Sequence, residues 1–112
     1  MKRFLVLYKS STSASKMMGS ATPEQMQAGM EDWQRWSANA GEAIVDLGSP
    51  LGEASSVGGA ASGNADEHIT GFSIIQADSR DAVTTLLEQH PHLKTLGDSS
   101  IAVLEVMSMP GM

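Results

Sequence analysis

Cysteine is absent from the 112 residues. That excludes a disulfide framework, a thiol nucleophile and any thiolate-bound zinc or iron–sulfur centre, and makes a reducing, cytoplasmic compartment the expectation. Basic residues are scarce: seven Lys and Arg stand against 13 Asp and Glu, a net charge of −6. Phosphate binding is dominated by Lys and Arg, so neither nucleic acid nor an anionic membrane is an expected partner. Long apolar runs are missing as well. The stretch Phe4 to Tyr8 is too short for a membrane span of about 20 residues or a signal-peptide core of about 7–15. It reads instead as a first strand. Aromatic residues make up only 4% of the chain, so the position of each one carries information. What is present is a globular composition, 41% hydrophobic and 18% charged, at the length of a single domain spanning 1–112. Eight Met residues add adaptable apolar surface for a core or a pocket.

Along the chain, Lys2 to Lys9 predicts a strand with Phe4, Val6 and Tyr8 on one face and Leu5 and Leu7 on the other. Residues 10–21, rich in Ser, Thr, Gly and Ala, predict a flexible loop. Thr22-Pro23-Glu24-Gln25 is a helix start: Thr22 caps, Pro23 suits the first turn and Gln25 completes a capping box. The helix is expected to run to about Ala40, stop at Gly41, and present Met26, Met30, Trp33 and Ser37 as its apolar stripe, with Trp36 beside it. Ala43 to Leu47 predicts a short strand, Gly48-Ser49-Pro50 a turn, and Glu53 to Val57 a weaker extended stretch. The glycine-rich segment from Gly58 predicts a flexible loop over 58–67. It opens no helix and lacks Lys, so it fits neither the Walker nor the dinucleotide template.

Ile69 to Gln76 predicts a third strand, with Phe72 and Ile74 on one face and Ile69 and Ile75 on the other. Gly71 inside it signals a bulge or a close backbone approach. Asp78 is the expected cap of a second helix reaching about Gln89, with Ala82, Val83, Leu86 and Leu87 as its stripe. Pro91 ends it. His92 to Gly97 is an irregular connection, Ile101 to Met107 a last strand, and 108–112 a short tail.

The order β-α-β-β-α-β is the ferredoxin-like split arrangement, an α+β fold. Two helices cover one face of a four-stranded sheet, yet Leu5, Leu7, Ala102 and Leu104 put apolar residues on the other. Leaving such large side chains in water costs roughly 1.5–3 kcal/mol each. A second copy of the chain is the simplest cover, and two-fold symmetry is the commonest oligomer solution. A homodimer with two sheets packed face to face is the expectation.

The stretches MKRFLVLYK, TPEQMQAGMEDWQRW, GEAIVDLGSPLG, ITGFSIIQADSRDAV, HPHL and SSIAVLEVMSMP, in this order and spacing, span most of the chain. Together they resemble the YCII-related family of dimeric α+β barrel proteins, including its DGPF-type members. The resemblance implies a ferredoxin-like protomer, a barrel made from two sheets, and a cleft between sheet and helices as the site. Two features depart from the family pattern. Ile69-Thr70-Gly71-Phe72 stands in place of the literal Asp-Gly-Pro-Phe motif. The first helix carries no His, with Trp33 and Trp36 at its middle, so the His–Asp pair proposed for some members has no counterpart.

Several residues remain candidates for chemistry, each with a plainer alternative. His92, which matches a His in similar family members, suits general acid–base work near neutral pH, or anchors its loop on a backbone carbonyl. Glu105 would have a raised pKa if it faced an enclosed interior; otherwise it pairs with Lys9 or Arg3 across the strands. Trp33 and Trp36 either wall an apolar pocket or pack a core or interface. Asp46 either orients a ligand group or caps a turn. Tyr8 presents its hydroxyl to a cleft or satisfies it internally. His68, His90 and His92 lack a third strong ligand at a known spacing, so neither a metal nor another cofactor is expected.

Two functions follow. One is a homodimer whose apolar cleft binds a small apolar or aromatic molecule, with cofactor-independent proton transfer of the isomerase or lyase type through His92 and Glu105. Tyr8, Trp33, Trp36 and Asp46 would line the site. The other is a non-catalytic dimerisation or accessory module whose cleft is filled by Trp33, Trp36 and the Met residues.

Overall fold

The computed structural model describes residues 1–10, 19–52, 68–95 and 99–107. The side chains of residues 68, 94 and 95 are not among them. The expected flexible segments 58–67 and 108–112, the extended stretch 53–57 and most of the 10–21 loop therefore lie outside the described residues.

The elements are β1 (Lys2–Ser10), α1 (Pro23–Ala40), a single 3-10 turn (Gly41–Ala43), β2 (Ile44–Pro50), β3 (His68–Ala77), α2 (Arg80–Leu87), the one-turn α3 (His92–Thr95) and β4 (Ser100–Glu105). The four strands form one sheet in the order β2-β3-β1-β4, with every neighbouring pair antiparallel. This α+β arrangement is compatible with a ferredoxin-like fold.

α1 starts where its sequence says it should. The Thr22 hydroxyl accepts from the Gln25 N–H at 3.1 Å, and the Gln25 side chain accepts from the Thr22 N–H at 2.9 Å. Gly41 ends it at φ 57°, a conformation that costs a glycine little. α2 is capped by Ser79, whose hydroxyl accepts from the Ala82 N–H at 3.2 Å, rather than by Asp78. Its start is therefore one residue later than expected.

The core lies between the helices and one sheet face. Phe4, Val6, Tyr8 and Ile75 from the sheet meet Trp36, Val83 and Leu87 from the helices. On β1 this burial alternates with half-buried Leu5 and Leu7, as a strand's two-residue period requires.

Four expectations are corrected. Met26 and Met30 are exposed, at 43% and 64%. Trp36 is the buried residue of α1, with Trp33, Ser37 and Ala40 half-buried beside it, because only the helix's second half lies on the sheet. Gly48-Ser49-Pro50 is not a turn but part of β2. Gly48 adopts φ 86°, the chain bulges, and pairing resumes at Ser49 opposite Phe72. His92 begins a helical turn rather than an irregular connection. Finally, β3 bulges at Thr70, where the register jumps from Gly71 opposite Tyr8 to Ile69 opposite Lys9. The extra residue moves Ile69 off the Ile75 face and onto that of Phe72 and Ile74. Gly71 fits this site because a Cβ there would approach the Ser49 carbonyl to 3.3 Å and the Tyr8 ring to 3.4 Å.

Candidate functional site

The second half of α1, the middle of β1 and the segment after α2 converge on one cluster of rings. Tyr8 comes from β1, Trp33 and Trp36 are one helical turn apart on α1, and His90 and His92 flank Pro91. The His90 ring is fully buried. It stacks on Tyr8 at 4.6 Å between centroids and meets Trp33 and Trp36 edge-on at 4.4 and 4.3 Å. Tyr8 also meets the edge of Trp33 at 5.0 Å and lies 5.4 Å from His92. Such ring pairs contribute about 0.5–1.5 kcal/mol beyond the area they bury.

Polar groups in this layer are mostly spent. The Tyr8 hydroxyl donates to Ser73 Oγ at 2.8 Å, and Ser73 Oγ donates to the Leu47 carbonyl at 2.6 Å. Trp36 Nε1 donates to the Leu86 carbonyl at 3.2 Å. His92 Nε2 donates to the Lys9 carbonyl at 2.9 Å. The His92 backbone N–H donates to His90 Nδ1 at 3.0 Å. Because Nδ1 accepts, the neutral His90 ring must carry its proton on Nε2. Among the described residues, that Nε2 is buried without a hydrogen-bond partner.

Burial keeps His90 and Tyr8 uncharged. Burial pushes His90 down to about 3, with the neighbouring His92 adding to the effect. Burial likewise pushes Tyr8 up to about 12, the Ser73 hydrogen bond pulling the other way. Near neutral pH both rings are uncharged. His90 can then donate or accept a hydrogen bond, but it carries no cation to stabilise an anion.

Of the residues singled out in the sequence, Tyr8, Trp33, Trp36 and His92 come together here. Two do not. Glu105 lies at the end of β4, where its carboxylate meets Lys2 Nζ at 3.3 Å with about a third of its side chain exposed. Its partner is Lys2, which lies beside it on β1, not Lys9 or Arg3. Asp46 is exposed, and its Oδ1 accepts from the Gly48 N–H at 2.8 Å, an Asx turn that supports the β2 bulge. His92 anchors on the Lys9 carbonyl through Nε2, the anchoring alternative.

His90 stands in the sequence only as a weak metal-ligand candidate, and its place among the rings is what sequence reasoning missed. Its signal was the apolar stripe of α2: Val83, Leu87 and His90 are spaced by four and three. His90 therefore continues the buried face one turn past the helix.

These rings pack between the helices and the sheet. An open groove of about 810 Å³ adjoins them between α1 and α2, where Gln25, Asp32, Arg35 and Gln89 surround Trp36 and Pro91. Among the described residues, no cluster of three His, Asp or Glu side chains is placed to hold a metal ion. No described helix is long and apolar enough to cross a membrane.

No family model matches the chain, and no curated protein matches it either.

Proposed function

We propose that this protein is a YCII-related homodimer in which the helix-free faces of two sheets close on each other, as in a dimeric α+β barrel, and that it works as a dimerisation or accessory module. The observation that carries this reading is the bare sheet face. Leu5 and Leu7 of β1 lie opposite Ile74 and Phe72 of β3 on one side and Leu104 and Ala102 of β4 on the other. These six side chains form a continuous apolar patch, Leu104 remains 48% exposed, and no described element lies over it. A patch of this kind marks an interaction surface, and an identical copy offers a self-complementary match. The rings packed between helices and sheet, the His92 Nε2 anchored on the Lys9 carbonyl and the carboxylate of Glu105 paired with Lys2 favour this reading over proton transfer by those two residues. Sedimentation equilibrium is the direct test. The expected result is twice the chain's 11.8 kDa at micromolar concentration; a single-chain mass at about 100 μM would overturn it.

One observation favours a second reading, in which the helix–sheet layer handles a small apolar or aromatic molecule. The Nε2–H of His90 is a donor held among aromatic rings with nothing to donate to.

A further inference from the structure

We propose that Trp33 is a displaceable plug over a binding site for a flat aromatic molecule carrying an uncharged oxygen acceptor, a ketone or aldehyde, which takes the Nε2–H of His90. The inference rests on the small-molecule reading and gives it a ligand class, a donor and an entry.

Four observations converge. The donor has a fixed polarity, because the His92 backbone N–H occupies Nδ1 and leaves the proton on Nε2. It is unsatisfied at zero exposure, and a buried donor without a partner is costly enough that few are kept. The ring walls also differ in how they are held. Trp36 is buried and tied to the Leu86 carbonyl, and Tyr8 is buried and tied to Ser73. Trp33 is half-buried, packs against the core and the rings, and has no hydrogen bond among the described residues. Trp33 also marks where α1 leaves the sheet: from Pro23 to Asp32 every residue but Gly29 is exposed.

When the Trp33 indole swings toward solvent, it vacates a slot bounded by Tyr8, Trp36 and His90. The slot is aromatic on its sides and has one donor. None of these walls is charged near neutral pH, so a carboxylate or ammonium would enter without a counter-charge and at heavy desolvation cost. A planar ring replaces the indole contacts, and a carbonyl oxygen satisfies the donor.

Matched probes test this in the full-length protein by NMR titration, reading the His90 ring and the two Trp indole N–H signals. Acetophenone has ring and acceptor, ethylbenzene the ring alone, 2-butanone the acceptor alone. The expected result is that acetophenone shifts the His90 Nε2–H resonance and binds about fivefold tighter than ethylbenzene, while 2-butanone does nothing. In His90→Phe the fivefold preference falls to about one. In Trp33→Phe, with a smaller plug to move, both aromatic probes gain affinity. If His90→Phe does not fold, the wild-type Nε2–H shift with acetophenone but not ethylbenzene decides alone. Aromatic probes that bind with no preference for the acceptor, or with Trp33→Phe unchanged, overturn the inference and leave the small-molecule reading standing. If no probe moves any signal of the layer at 10 mM, both fall together.

Discussion

His90 is held neutral by its surroundings, and this has a consequence for stability. Its pKa is about 3 in the folded protein and about 6.5 in an unfolded chain. Between those values the unfolded chain binds a proton that the folded one refuses, so stability falls on acidification by at most about 1.4 kcal/mol per pH unit. Above pH 6.5 neither state is protonated and the residue contributes no slope. Urea midpoints at pH 7.5, 6 and 5 should therefore drop more steeply for the wild type than for His90→Phe; parallel curves would contradict the burial of a neutral ring. Gly48 supplies a second residue-scale expectation. At φ 86° a Cβ on this residue would lie 1.6 Å from the Phe72 carbonyl oxygen. Gly48→Ala should lose about 2–4 kcal/mol, visible as a lowered denaturation midpoint, or unravel the end of β2.

At the scale of elements, α1 divides into two halves held by different forces. Its second half is held by burial of Trp33 and Trp36 against the sheet. Its first half has almost no tertiary support and depends on the capping box, the proline in the first turn and local pairs such as Gln27 with Glu31 at 3.4 Å. Thr22→Ala should consequently cost about 1 kcal/mol, a fall in Tm of about 4–6 °C for a domain this size. Met30→Gln should change stability by less than about 0.5 kcal/mol, since the side chain is mostly in water already. A core methionine would lose several times that, so calorimetry on this one variant separates the two placements. The β3 bulge is the other element-scale device. One extra residue at Thr70, anchored by its hydroxyl to the Tyr8 carbonyl at 3.1 Å, turns Ile69 onto the bare face and extends the apolar surface there.

At the scale of the whole molecule, the two faces of β1 make opposite demands. Val6 is sealed under the helices, whereas Leu7, one residue on, is half-buried on the opposite face of the sheet. In the proposed dimer, Leu7→Lys should give a folded monomer, with near-ultraviolet dichroism retained and the mass halved. Val6→Lys should not fold at all, because an unpaired ammonium would enter a closed core. A Leu7→Lys variant that remains dimeric would place the contact elsewhere.

Strands, helices and their order were legible in the sequence because they depend on short-range chemistry: the two-residue alternation around Phe4 to Tyr8, the cap at Thr22 with its partner Gln25, the stop at Gly41, and a glycine inside the third strand. None of these requires knowing what lies across the fold. The details that went the other way all depend on contacts distant in sequence. Periodicity marks Met26 and Met30 as apolar, but only the angle at which α1 meets the sheet leaves them in water. Alternation places Ile69 beside Ile75 until a bulge against β1 shifts the phase. A histidine after a helix has no evident role in one dimension; it becomes the centre of the ring cluster because β1 brings Tyr8 to one side and α1 brings two indoles to the others. Local propensity thus sets the elements, while which side chains lose water, and which donor is left without a partner, is settled only when residues some 80 positions apart (His92 and Lys9, 83 apart) pack together.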